Sequence, residues 1–167
     1  MLAFLFRGLT AQPARGEALF DAVTAEARRR SWYVEGAVPD TLDGRFAVLA
    51  TIAALVLVRL EREGEAGESA SVALTERFIE VMESEHRELG LGDPTLGKTV
   101  RKLVGMLARR TELWRGANDE WTEAARDSLY RGDIADAPLR HSAGALRELA
   151  RRLDATPLGD LEQGKIA

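Results

Sequence analysis

Val38-Pro-Asp-Thr-Leu-Asp-Gly-Arg-Phe46 runs straight into Ala47-Val-Leu-Ala-Thr-Ile-Ala-Ala-Leu-Val-Leu-Val58, closed by Arg59 and Leu60, and the reading of this stretch decides the fold. Thr51 is the one polar side chain between Ala47 and Val58. A helix that is apolar on every side has to be surrounded by protein or by lipid. Crossing a bilayer takes about 20 apolar residues, more than Arg45 and Arg59 bracket, so the stretch reads as a buried central helix. A buried strand is the rival for any apolar run, but this one exceeds the roughly 4 to 8 residues at which strands stop. Asp40 or Thr41 is the expected cap, with Asp43 or Gly44 in the first turn.

Upstream, Leu19, Phe20, Val23 and Ala27 recur at helical spacing between Glu17 and Arg30, and the acidic start and the Arg28-Arg29-Arg30 end complement a helix dipole. Residues 1–16 read as an irregular lead-in broken by Gly8, Pro13 and Gly16. Its apolar start, Met1-Leu-Ala-Phe-Leu-Phe6, is too short for an export signal; Phe4 and Phe6 either dock on the core or form a weak membrane-surface foot. Downstream, the charged, glycine-containing segment from Glu61 to Glu68 reads as a mobile, solvated connection. Ser69 or Ser71 then caps a helix with the stripe Leu74, Phe78, Met82 and Leu89, stopped by Gly90.

Asp93-Pro94 opens the next helix, with Leu96, Val100, Leu103 and Leu107 facing inward. After a break at Gly116 to Asp119, Trp121, Ala125 and Leu129 mark another. A last helix, Pro138 to Leu153, turns Leu139, Leu146, Ala150 and Leu153 inward, and the polar tail over 154–167 is expected to fray. No strand pattern or repeat appears. The expectation is an all-α, compact single-domain bundle of about six helices, with its domain over 17–153.

The 167 residues suffice to bury roughly 70% of the unfolded surface without covalent staples. With no cysteine, disulfides, thiolate zinc sites and cysteine nucleophiles are excluded. A net charge of −4 argues against a general nucleic-acid binder and against specific DNA binding, while leaving room for a local basic face.

Three chemical signals stand out. Gly92-Asp-Pro-Thr-Leu-Gly-Lys98-Thr99 satisfies the phosphate-loop pattern letter for letter. A working phosphate loop follows a buried strand and offers successive backbone N–H groups; here a charged helix face precedes it and Pro94 withholds one donor, so the match reads as accidental. Glu83 and His86 share a helix face at di-iron spacing, but such bundles need a second copy, and His141 has no matching glutamate. Lys98, Arg101, Lys102 and Arg109, with Arg110 and Arg115 beyond, form a basic face. It is either simply solvated or a contact for phosphates of RNA or lipid headgroups. No constellation for acid-base or covalent catalysis is present, and no cofactor or metal is expected.

The chain resembles the ubiquinol-cytochrome c chaperone family. The resemblance is carried by Trp32-Tyr33, by Pro39, Asp40, Thr41, Asp43, Gly44, Arg45 and Phe46 with the apolar helix behind them, by Arg87, Glu88, Gly90, Gly92 and Asp93 with Lys98, and by Arg110 followed by Trp114. Val81, His86 and Arg109 depart from the family pattern. The resemblance implies a non-enzymatic assembly factor whose client is cytochrome b or another complex III subunit. In mitochondria such a factor works with a small helical partner near the ribosomal tunnel exit. Ribosome or membrane-surface contact, and a cytoplasmic location peripheral to the inner face of the membrane, follow as expectations. The alternative is a phosphate- or nucleotide-binding enzyme using Gly92 to Thr99.

A chaperone for a membrane protein has to offer apolar surface, and aromatic residues bury much area at small entropic cost. The expected client surface is therefore Phe4, Phe6, Trp32, Tyr33, Trp114 and Trp121. Arg45, the one charge at the mouth of the apolar helix, is expected to pair with Asp40, Asp43, Glu88 or Asp93 and so to join the two motifs.

Overall fold

Thr41 starts the central helix: its backbone is extended and its Oγ1 accepts a hydrogen bond from the Gly44 amide at 3.2 Å. In the computed structural model, which describes residues 13–90 and 93–167, that helix runs over Leu42–Glu61. The described residues form seven α-helices and no strand: α1 Pro13–Ala27, α2 Leu42–Glu61, α3 Glu65–Glu88, α4 Asp93–Gly116, α5 Trp121–Leu129, α6 Asp136–Ala155 and α7 Leu158–Glu162. A short 3-10 turn, Arg30–Trp32, links α1 to the approach to α2.

From Ala50 to Leu60 every residue of α2 is buried, and α1, α3, α4, α5 and α6 all pack against it. The lone hydroxyl of that run, Thr51, donates to the Ala47 carbonyl at 2.7 Å, so it is satisfied within its own helix. Phe78 of α3 is wholly buried, its ring 6.4 Å from Phe20 of α1 and 6.1 Å from Phe46 of α2. Each such fully buried large side chain contributes about 1.5–3 kcal/mol. The helical class and the central placement of α2 thus follow from the apolar run.

Several boundaries differ from expectation. The first helix begins at Pro13, within the stretch read as irregular, because proline's fixed φ suits a first turn. It ends at Ala27, which leaves Arg28, Arg29 and Arg30 beyond it. Two aromatic donors satisfy its last carbonyls: Trp32 Nε1 donates to Glu26 O at 2.8 Å and Tyr33 Oη to Ala27 O at 3.0 Å.

The expected mobile connection from Glu61 to Glu68 is only a three-residue turn. Gly64 at φ +59° reverses the chain and α3 starts at Glu65, which places Ser69 and Ser71 inside the helix instead of at its cap. Gly67 lies against the Leu60 carbonyl, where a side chain would collide. The glycines that look like loop signals serve a tight turn and a close helix approach.

In α6 Leu149 is buried and Ala150 is only half-buried, so the inner stripe includes Leu149. The polar tail is docked: α7 packs on α1, Leu161 is fully buried, and the Ala167 amide donates to Thr156 Oγ1 at 3.0 Å. With only Leu158 and Leu161 as anchors, α7 is too short to show a helical period in sequence.

Candidate functional site

The Pro39 to Phe46 motif builds the mouth of α2. Thr41 N–H donates to Pro39 O at 2.8 Å, folding the approach back on itself before Thr41 caps the helix. Gly44 sits under that fold, and a Cβ there would strike the Pro39 carbonyl oxygen. Arg45 Nε donates to Asp40 Oδ1 at 2.6 Å, and Asp43 pairs with Arg131 at 3.0 Å. Phe46 turns inward onto Phe78, with the Arg110 guanidinium 6.0 Å above its ring.

Arg45 therefore takes Asp40, one of its four expected partners, but in another setting from the one foreseen. Both side chains are exposed, and the pair lies within one motif instead of linking two. Leu89, within the second motif, lines the same cleft as the α2 mouth, but no ion pair among the described residues joins the two motifs. The hydrogen bond to Arg45 holds the Asp40 carboxyl below the ordinary carboxylate range.

The buried arginine of α2 is Arg59, at the other end. It donates to Leu153 O at 3.0 Å and Thr156 O at 3.1 Å, and it pairs with Glu63 at 2.6 Å. Arg110, a family-motif residue, is half-buried and also has a positioning task. It donates to Ser128 O at 3.0 Å and to Met106 O at 3.4 Å, tying α4 to α5. Burial first, and then the charges of Arg109 and Arg131, pull its pKa below the ordinary value.

Between α1, the mouth of α2, and the α3–α4 pair lies an open cleft of about 1130 Å³. Phe20, Phe46, Leu49, Val81, Met82, Leu103 and Met106 give it an apolar lining. Val34, Leu42 and Leu89 stand on its lip, 55%, 64% and 64% exposed. Leu89 was expected in the inner stripe, but α3 ends at Glu88 and the chain turns at Gly90, which leaves Leu89 outside the packed face. Arg28, Arg30 and Lys102 also border the cleft and form no ion pair among the described residues. Leu42 and Leu89 lie at helix ends, where a periodic stripe loses its phase, and Val34 lies in the turn on the approach to α2; the one sequence signal of the first two is a large apolar side chain beside a cap or a stop.

The aromatic residues fall differently from expectation. Trp32 is buried beneath α1, and Trp114 is buried with its Nε1 donating to Ser128 Oγ at 2.9 Å. Neither is available to a client without unfolding. Tyr33 and Trp121 are half-buried; Trp121 packs 5.2 Å from Trp114 and lies under the Arg147 guanidinium at 5.6 Å. Phe4 and Phe6 lie outside the described residues.

The phosphate-loop match takes helical form from Asp93 onward, and the preceding described element is helix α3, not a strand. Lys98 is exposed within α4, as are Arg101, Lys102 and Arg109; Gly92 lies outside the described residues. Arg87 and Glu88 are exposed at the end of α3. His86 Nδ1 sits 2.6 Å from Met82 O, so it is the protonated nitrogen that donates. Among the described residues no group of three or more His, Cys, Asp or Glu is gathered to hold a metal.

Fold and cleft define a class: an all-helical protein with a wide, apolar-lined cleft at the mouth of its central helix. The ubiquinol-cytochrome C chaperone family matches residues 35–167, and the chain belongs to that family. Its structure is similar to the crystal structure of the Cbp3 homolog from Brucella abortus, with a TM-score of 0.78 and 25% identity, over 100% of this chain and 96% of that one. No curated protein matches the chain. The family match takes in both motifs and runs on through the docked tail.

Proposed function

We propose that this protein is a non-enzymatic assembly chaperone for ubiquinol-cytochrome c reductase, and that it holds an apolar segment of cytochrome b in the cleft at the mouth of α2. The observation that carries this is the lip. Three of the five large apolar side chains exposed among the described residues, Val34, Leu42 and Leu89, border one apolar cleft. Clustered exposed apolar surface marks interaction sites, because leaving it in water has no folding benefit. Met82 and Met106 line the same cleft, and methionine's flexible thioether adapts to segments of differing shape.

The family supports the chaperone role and the assembly it serves. The reading has the protein meet the bilayer from its inner face; among the described residues no helix is long and apolar enough to cross it. The exposed cations Lys98, Arg101, Lys102 and Arg109 on α4 are the groups to meet phosphates there.

The test is the double variant Leu42→Asp with Leu89→Asp. Both side chains are exposed, so each substitution should shift stability by no more than about 0.5 kcal/mol. Recovery of cytochrome b from detergent-solubilised native membranes should fall about tenfold or more. Undiminished recovery by a folded variant overturns the proposal.

A further inference from the structure

The two remaining exposed large apolar residues, Val72 and Val104, border a second groove. It has a volume of about 500 Å³ and lies between α3 and α4. Leu57 and Glu61 line it at the far end of α2 from the mouth. On α4 it is bordered by Val104, Ala108 and Thr111, whereas Leu103 and Met106 face the first cleft. Helical geometry puts those two sets on different sides of α4, on average roughly 140° apart, so both grooves can be filled at once.

The chemistry of the second groove is distinct. Thr75 and Thr111 turn their hydroxyls back to the Ser71 and Leu107 carbonyls at 2.9 Å and 3.0 Å, so they present methyl groups to the groove. Valine, alanine and threonine methyls make a smooth wall that lets a backbone come close. From Val104 to Arg115 the α4 wall is about 16 Å long, roughly three helical turns. Its rim carries Glu61, Glu76 and Glu112 against Arg115 alone. Arg115 is itself held by Glu61 at 2.6 Å and by Glu112. Glu76 has no ion pair among the described residues, and Glu68 stands exposed one turn before Val72.

We infer that this groove docks a short cationic amphipathic helix of a separate protein, its small apolar face on Val72, Val104 and Ala108 and its lysines or arginines on the glutamate rim. An amphipathic helix laid in a groove is anchored by side chains about three and four residues apart, which the three-turn wall accommodates. The acidic rim selects the sign of the partner's charge and speeds its capture. It also disfavours a second copy of this chain, because a two-fold contact would set the same glutamates against each other.

The probe is a fluorescein-labelled designed helix of about eighteen residues, with leucine and alanine on one face and lysine on the other. A twin carries glutamate in place of lysine. Anisotropy titrations with the full chain should show saturable binding of the lysine peptide, weakened by added salt, and none of the glutamate peptide. Glu76→Lys and Val104→Arg should each weaken the lysine peptide about tenfold or more, while Leu42→Asp in the first cleft leaves it unchanged. Both altered side chains lie outside the core, and the melting temperature checks that each variant folds; should Val104→Arg melt early, Glu76→Lys decides alone. Equal binding of the two peptides, absence of saturable binding, or loss through Leu42→Asp overturns the proposal. So does a dimer in solution that Val104→Arg converts to monomer, because the occupant is then a second copy.

Discussion

The two ends of α2 carry one arginine each, about 20 Å apart by the helical rise, and they do opposite things. At the mouth, Arg45 lies in solvent beside an equally exposed Asp40, and the apolar cleft opens next to it. At the far end, Arg59 is buried and spends its guanidinium on main-chain carbonyls of the α6 terminus, with Asp154 at 4.0 Å and Glu63 closing the set. The mouth is held by local geometry: a cap, a folded-back turn and a glycine. The far end is held by long-range bonds that draw the chain's last helices onto the core. One end opens on the first cleft, and at the other the chain's last helices are sealed onto the core by Arg59.

Arg59→Ala breaks the sealed end and should have the largest effect. It leaves the Leu153 and Thr156 carbonyls buried without their donor, a loss of about 3–5 kcal/mol in urea unfolding. Hydrogen exchange should rise first in α7, which depends on that anchor. A cost under about 1 kcal/mol would mean that apolar packing of Leu153 and Leu161, not Arg59, seals the end.

Gly44→Ala tests the mouth by the same measure. The added methyl meets the Pro39 carbonyl, and overpacking of this kind costs about 1–3 kcal/mol. Thr41→Ala removes only the cap to the Gly44 amide and should cost about 1 kcal/mol. If Thr41→Ala proved the more damaging of the two, the cap and not the close approach would be what sets the mouth.

The contrast between the ends also explains what could be read from the chain. Thr41, Asp43 and Gly44 are legible because a cap, its amide and the turn lie within a few residues. The buried character of α2 is legible because a run with no polar face admits few structures. Arg59 is not legible, since its acceptors are backbone carbonyls 94 and 97 residues away and carry no residue identity. Aromatic content alone does not tell exposed side chains from buried ones. Trp32 and Trp114 each find a hydrogen-bond partner inside, a carbonyl at Glu26 and the Ser128 hydroxyl, which lets them bury completely. The exposed apolar lip consists instead of Leu42 and Leu89 at helix ends and Val34 in the approach to α2.

The smallest effect belongs to Arg45 and sharpens the comparison most directly. Arg45→Ala should leave the melting temperature unchanged, because an exposed pair gains little over its hydration. The effect appears in titration. The Asp40 carboxyl is held low chiefly by its hydrogen bond to Arg45, and a carboxyl depressed in the folded state adds stability above its unfolded pKa. That contribution fades as pH falls through the folded value. Followed by carbon-detected NMR of the Asp40 carboxyl, the wild type should titrate below the ordinary aspartate range, and Arg45→Ala should return it toward that range. Added salt should shrink the difference, since both partners face solvent. An Asp40 titration identical in the two proteins would mean that the pair does not persist in solution, and that the mouth owes its form to Thr41 and Gly44 alone.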